Sequence, residues 1–93
     1  MKIEYDADKR QWTLENRGLD FESMADVFRH FYLSRTDDRK DYGELRHIVL
    51  GALNDRPIVA VWTPRVDAIR VISMRIADEN EREIYWRERD RSG

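Results

Sequence analysis

Arginine is the residue type that recurs where this sequence is otherwise apolar. Arg46, Arg65, Arg70 and Arg75 stand in or beside runs that read as strands, and Arg39 precedes them. A guanidinium offers a planar fork of N–H groups that matches two oxygens of a phosphate. It stays protonated, so it suits holding phosphate and stabilising charge on a pentacoordinate phosphorus, and does not suit proton abstraction. Proton acceptors are available as His47, Lys9, Glu44 and Tyr85. If RNA is the molecule cut, its own 2′-hydroxyl can serve as the nucleophile. His30 has no second His or Cys at ligand spacing. The sequence has no cysteine, which excludes disulfides, thiolate metal sites and a thiol nucleophile. It has no P-loop, Gly-rich nucleotide loop or paired-aspartate metal motif. Neither a metal nor another cofactor is expected.

Charge is unevenly distributed. The net charge of −2 does not announce a nucleic-acid binder, but residues 39–75 carry seven basic and four acidic side chains. A basic block inside an acidic protein can steer a polyanion locally, because field rather than net charge sets encounter. The other reading is a chain rich in charge whose acids pair with its arginines on the surface. The 93 residues favour one domain, residues 1–93, with a small core. No apolar leader follows Met1 and no stretch is long enough for a membrane span, so a cytoplasmic setting without membrane contact is expected.

These side chains need a scaffold. Lys2 to Asp6 alternates as a short strand. Asp6 or Asp8 can cap a helix over Lys9–Asn16, with Trp12 as its core anchor and Gly18 as its left-handed stop. Asp20 starts a second helix whose Phe21, Met24, Ala25 and Phe28 share a face. Ser34 to Tyr42 reads as a polar loop, with a short strand possible near Phe31. Three strands then follow: one within Gly43–Leu53, a central one at Ile58–Thr63, and one at Ile69–Ile76. Asn54–Pro57 and Pro64–Asp67 turn the chain between them. Asp78 and Glu81 form a capping box for a last helix, and residues 88–93 should fray. The order β-α-α-β-β-β-α gives an α+β fold, an antiparallel meander with helices on one face.

Tight turns in that meander place Arg46 level with Arg65 and Arg70 beside Thr63, while Arg75 falls near Val59 at the other end. Arg70 and Arg75 are an odd number apart. A regular strand would point them to opposite faces, with Ile72, Met74 and Ile76 on one and Ile69 and Val71 on the other; a bulge would remove the conflict.

The order and spacing of several pieces carry a resemblance. They are Ile3-Glu4-Tyr5-Asp6 with Lys9, Arg17-Gly18-Leu19-Asp20-Phe21, Asp38-Arg39, Asp41-Tyr42-Gly43-Glu44 with Arg46, Gly51, Trp62-Thr63 with Arg65, Arg70 to Ala77, and Glu81-Arg82 with Tyr85. Together they resemble the BrnT family of bacterial toxins over nearly the whole length. The resemblance implies a RelE-like fold and a ribonuclease that blocks translation. It also implies a BrnA-like ribbon-helix-helix antitoxin, through which alone the complex would touch operator DNA. Arg65 and Arg75 carry over as catalytic residues, followed by Arg46 and Lys9. Arg70, Arg39, His47 and Tyr85 are candidate substrate contacts. Asn16-Arg17 stand where many members have Lys-His, and the net acidity is unusual for such a nuclease. The alternative is an inactive toxin-like module that binds its antitoxin and tunes transcription.

Overall fold

The computed structural model describes residues 1–93. Its elements begin where local chemistry satisfies free backbone groups. Strand β1 (Ile3–Glu4) leads to helix α1 (Ala7–Arg17), which starts at Asp6, whose carboxylate accepts from the N–H groups of Asp8 and Lys9. It stops at Gly18, at φ 67°, a conformation that L side chains resist. Asp20 caps a 3-10 turn (Phe21–Ser23) and receives a two-pronged bond from Arg10 at 2.9 Å per prong. One turn of helix, α2 (Met24–Val27), follows. The expected second helix is thus broken near its start. Its inward residues are Phe21, Met24 and Val27, and Ala25 is not among the buried ones.

The sheet has five strands, adding β2 (Leu33–Thr36), β3 (His47–Leu53), β4 (Arg56–Pro64) and β5 (Ile69–Ile76), in the spatial order β1-β5-β4-β3-β2. The meander β2 to β5 is antiparallel, as the short turns from β3 to β4 and from β4 to β5 require for those pairs. Two residues, Asn54 and Asp55, at φ 51° and 62°, make the β3–β4 turn, so Arg56 and Pro57 already belong to β4. The sheet is nevertheless mixed, which corrects the expected all-antiparallel form. β1 is separated from β5 in sequence by the helices and by strands β2 to β4, not by a hairpin, and it pairs in parallel, Ile3 with Ile69 and Glu4 with Arg70. β2 is a second correction: Ser34, Arg35 and Thr36 form a strand instead of opening a loop. As the outermost strand it pairs with β3 through its backbone while its side chains stay mostly exposed, so apolar alternation is missing.

Helices occupy both faces, not one. Phe21, Met24 and Val27 pack on Val49, Ile58, Ala60, Val71 and Met74 with Leu19 beside them. Fully burying side chains of this size stabilises the fold by about 1.5–3 kcal/mol each. Gly51 lets α2 approach β3, because a Cβ there would lie 2.6 Å from a Val27 methyl. Helix α3 (Glu79–Ser92) lies across the opposite face, where Glu81 and Ile84 share the lining of a depression with Ile48, Leu50 and Val59. The capping box is present, with 2.8 Å bonds in both directions between Asp78 and Glu81. The helix continues to Ser92, past the point at which fraying was expected. Tyr85, 2% exposed, ties it to the segment that leads into β2 by donating to the Phe31 carbonyl.

Trp12 is not a core anchor: it is 52% exposed, and Thr13, 4% exposed, is the buried residue of α1. Neighbouring helical residues point about 100° apart, so turning Thr13 inward turns Trp12 out. The indole instead stacks under Arg17, which donates to the Met74 carbonyl at 2.8 Å.

Candidate functional site

The arginines gather on the sheet face that α3 covers only in part. Register puts Arg70 opposite Thr63 and Arg75 opposite Val59. Between them the ladder slips: Val61 pairs with Ser73 but Trp62 pairs with Val71, leaving Ile72 without a partner. This bulge changes the alternation. Val71 and Met74, three residues apart, both enter the core, and Ile69 and Ile76 pack against the same core. That corrects the two-faced split expected for a regular strand. Arg70 and Arg75 therefore both face away from the core, about 13 Å apart along the strands at the usual rise.

Arg75 lies in a depression of about 160 Å³ that it shares with Arg35, Arg39, Ser73 and Glu81, over Ile48, Val59 and Val61. Its guanidinium forks onto Glu81 at 2.8 and 2.9 Å. The Arg75 fork, helped by the Asp78 backbone N–H, holds the Glu81 carboxyl down to about 2. The same contact raises Arg75, and the charge of nearby Arg39 opposes this. Arg39 in turn forks onto Asp37 at 2.8 Å per prong. Asp37 is 5% exposed, and Arg39, with Tyr42, keeps its carboxyl well below the usual carboxylate range.

The loop between β2 and β3 joins this group to a second one. The Asp37 N–H donates to the Arg46 carbonyl at 2.8 Å, and Arg46 stacks on the Tyr42 ring at 4.2 Å. Arg46 and Arg65 share Glu44, at 3.0 and 3.5 Å. Arg46 foremost, then Arg65, lowers the Glu44 carboxyl. Thr63 fixes the loop by donating to the Leu45 carbonyl at 2.6 Å.

The expected candidates thus separate. Arg75 and Arg39 meet in one depression, Arg46 and Arg65 meet at Glu44, and Arg70 stands between β4 and β1. Lys9 projects from the exposed first turn of α1 and lines no part of the arginine depression. His47 stacks on Trp62, ring centres 4.6 Å apart, and Trp62 packs against the core and Phe28, so this imidazole belongs to the opposite face. Tyr85 is used up in holding α3. The sequence offers Arg35 with Arg39 and Lys40 as a possible phosphate contact but reads it as part of a solvated loop. Pairing opposite Ile48 brings it to the depression, where Arg39 and Arg75 have carboxylate partners and Arg35 has none. The available signal was its spacing, two residues after Leu33 in a strand.

No three His, Asp or Glu side chains are placed to share a metal ion. The carboxylates beside the arginines are held ionised, which makes them weak proton acceptors and good place-holders for an anion. Such a surface can exchange carboxylate for phosphate at several points along a strand of polyanion.

Among known families, the one described as "Ribonuclease toxin, BrnT, of type II toxin-antitoxin system" matches over residues 5–81. No curated protein matches the chain significantly.

Proposed function

The chain belongs to the BrnT family of ribonuclease toxins of type II toxin–antitoxin systems, and from that premise we propose that it cleaves RNA without a metal ion on the arginine-bearing face of its sheet. The observation that carries this reading is the convergence of Arg75, Arg39 and Arg35 on one depression. Arg75 leaves Glu81 and forks onto the scissile phosphate. The RNA 2′-hydroxyl attacks phosphorus, the O2′–P bond forms and the P–O5′ bond breaks, leaving a 2′,3′-cyclic phosphate and a 5′-hydroxyl. The 2′-hydroxyl proton passes to solvent and the leaving oxygen takes one from solvent. Arg75, Arg39 and Arg35 stabilise the extra negative charge of the pentacoordinate state. Arg46 and Arg65 hold the strand farther along. The consequence is a block to translation, relieved by a ribbon-helix-helix antitoxin that also carries the complex to operator DNA.

Purified protein should cut RNA in the presence of EDTA, and Arg75→Gln should slow cutting by about 100-fold or more, the usual loss for one charge-stabilising donor. Cleavage that stops with EDTA would refute the metal-free step. Cleavage unchanged in Arg75→Gln would refute the site.

A second reading has its own observation. Arg75, Arg39, Arg46 and Arg65 are all already paired with carboxylates. This favours a toxin-like binding module that acts only with its antitoxin in transcriptional control. Tight antitoxin binding without any RNA cleavage would support it.

A further inference from the structure

We propose that the apolar depression next to Arg75 is a nucleobase subsite, which seats the base of a single-stranded RNA nucleotide while the arginines hold its phosphate. The inference rests on reading this face as an RNA surface, and it adds where the base goes.

The depression lies between β2, β3 and α3, with a volume of about 370 Å³. It is continuous with the arginine depression, since Arg35, Ile48, Val59 and Glu81 line both. Beyond that shared wall the lining becomes apolar: Leu33 from β2, Leu50 from β3 and Ile84 from α3. Packing does not finish these side chains. Leu33, Ile48, Leu50 and Ile84 all remain partly exposed, although buried Val59 lies among them. An open apolar floor beside cationic residues is the pattern of a ligand site, and the volume lies within the usual range for one.

A nucleotide has the complementary form, with flat apolar faces joined to a phosphate. Leu33, Leu50 and Ile84 would cover a base face, removing it from water, and Arg35 and Arg75 lie on the phosphate side. The floor has no aromatic ring, so it offers dispersion and desolvation rather than ring stacking. Base edges face the outer side of β2. That strand ends the sheet, so every second residue has backbone groups free to hydrogen-bond.

The test uses 2′-O-methyl RNA, which lacks the attacking hydroxyl and is not cut. Its affinity is compared by fluorescence anisotropy with that of an abasic strand of the same backbone and length. The wild-type protein should bind the base-bearing strand about tenfold more tightly. Ile84→Gln and Leu33→Gln, on separate elements, should each reduce that ratio toward one and leave abasic binding unchanged. Ile84→Val should keep the ratio, which separates loss of the subsite from loss of fold. Arg75→Gln should weaken both strands. Equal wild-type affinity for the two strands would overturn the subsite while leaving the RNA surface intact. Absence of binding to either strand would overturn the RNA reading and the subsite with it. Ile84→Gln and Leu33→Gln variants that lose antitoxin affinity but keep the ratio would make the groove a protein contact, and would also overturn it.

Discussion

Glu81→Gln should make the protein less stable and better at holding RNA. Glu81 both closes the first turn of α3 and occupies the fork of Arg75. Gln at this position keeps the oxygen that accepts from the Asp78 N–H, so the cap survives. The charge is lost. A carboxyl lowered from 4.5 to about 2 corresponds formally to about 3 kcal/mol. Arg75 and Glu81 side chains are 45% and 24% exposed, so solvent screening reduces this to about 1–2 kcal/mol. Because the folded-state value is depressed, the contribution is fully present above pH 4.5 and disappears as pH falls toward about 2. Urea unfolding should therefore show the variant less stable by about 1–2 kcal/mol at pH 7 and equal to the wild type near pH 2. RNA affinity should move the other way. Arg75 no longer has to leave a charged partner, so the same energy appears as a gain of about 5–30-fold at fixed salt. Anisotropy with a non-cleavable strand reads this directly. Affinity that falls in the variant would refute the reasoning: Glu81 would then align Arg75 for phosphate rather than compete with phosphate for it.

Gly51→Ala should destabilise by about 1–3 kcal/mol in urea unfolding, because the new methyl meets Val27 at 2.6 Å in a packed core. Tyr85→Phe should lose about 1 kcal/mol, since the Phe31 carbonyl is left without its donor, and amide exchange in α3 should speed up. Trp12→Ala should stay within about 0.5 kcal/mol of wild type despite the size of the side chain, as Trp12 is 52% exposed; a loss near that of a buried indole would contradict the placement of α1.

What the sequence revealed was local. Asp6, Gly18 and the Asp78–Glu81 pair announce helix ends because the cap is made within a few residues. The levels of Arg70 and Arg75 followed from the short turn between β4 and β5. What it concealed depended on distant partners. Trp12 seemed an anchor because nothing in α1 shows that Thr13 is the residue turned inward. Ser34-Arg35-Thr36 seemed a loop because an edge strand is held by its neighbour's backbone and needs no apolar alternation. Arg35, a possible phosphate contact by type, seemed a solvated loop residue for the same reason. His47 and Tyr85 have suitable chemistry, but Trp62 and the Phe31 carbonyl hold them elsewhere. Side-chain type identified the kind of chemistry, and only tertiary pairing could assign which copies share a surface.

The unpaired Ile72 governs what kinds of inherited change this segment can tolerate. Substitutions at Ile72 alter one partly exposed side chain. Removing the residue is different in kind, because it restores a strict two-residue period between Arg70 and Arg75. With Val71 kept inside, the shortened strand still turns Met74 inward and leaves Arg70 and Arg75 facing away, so the other side chains keep their faces. Lineages carrying this fold can therefore differ here in length as well as in letters, and deletion of Ile72 should fold as a substitution at the same position does. Expression of the two variants side by side, followed by circular dichroism, is enough to see it.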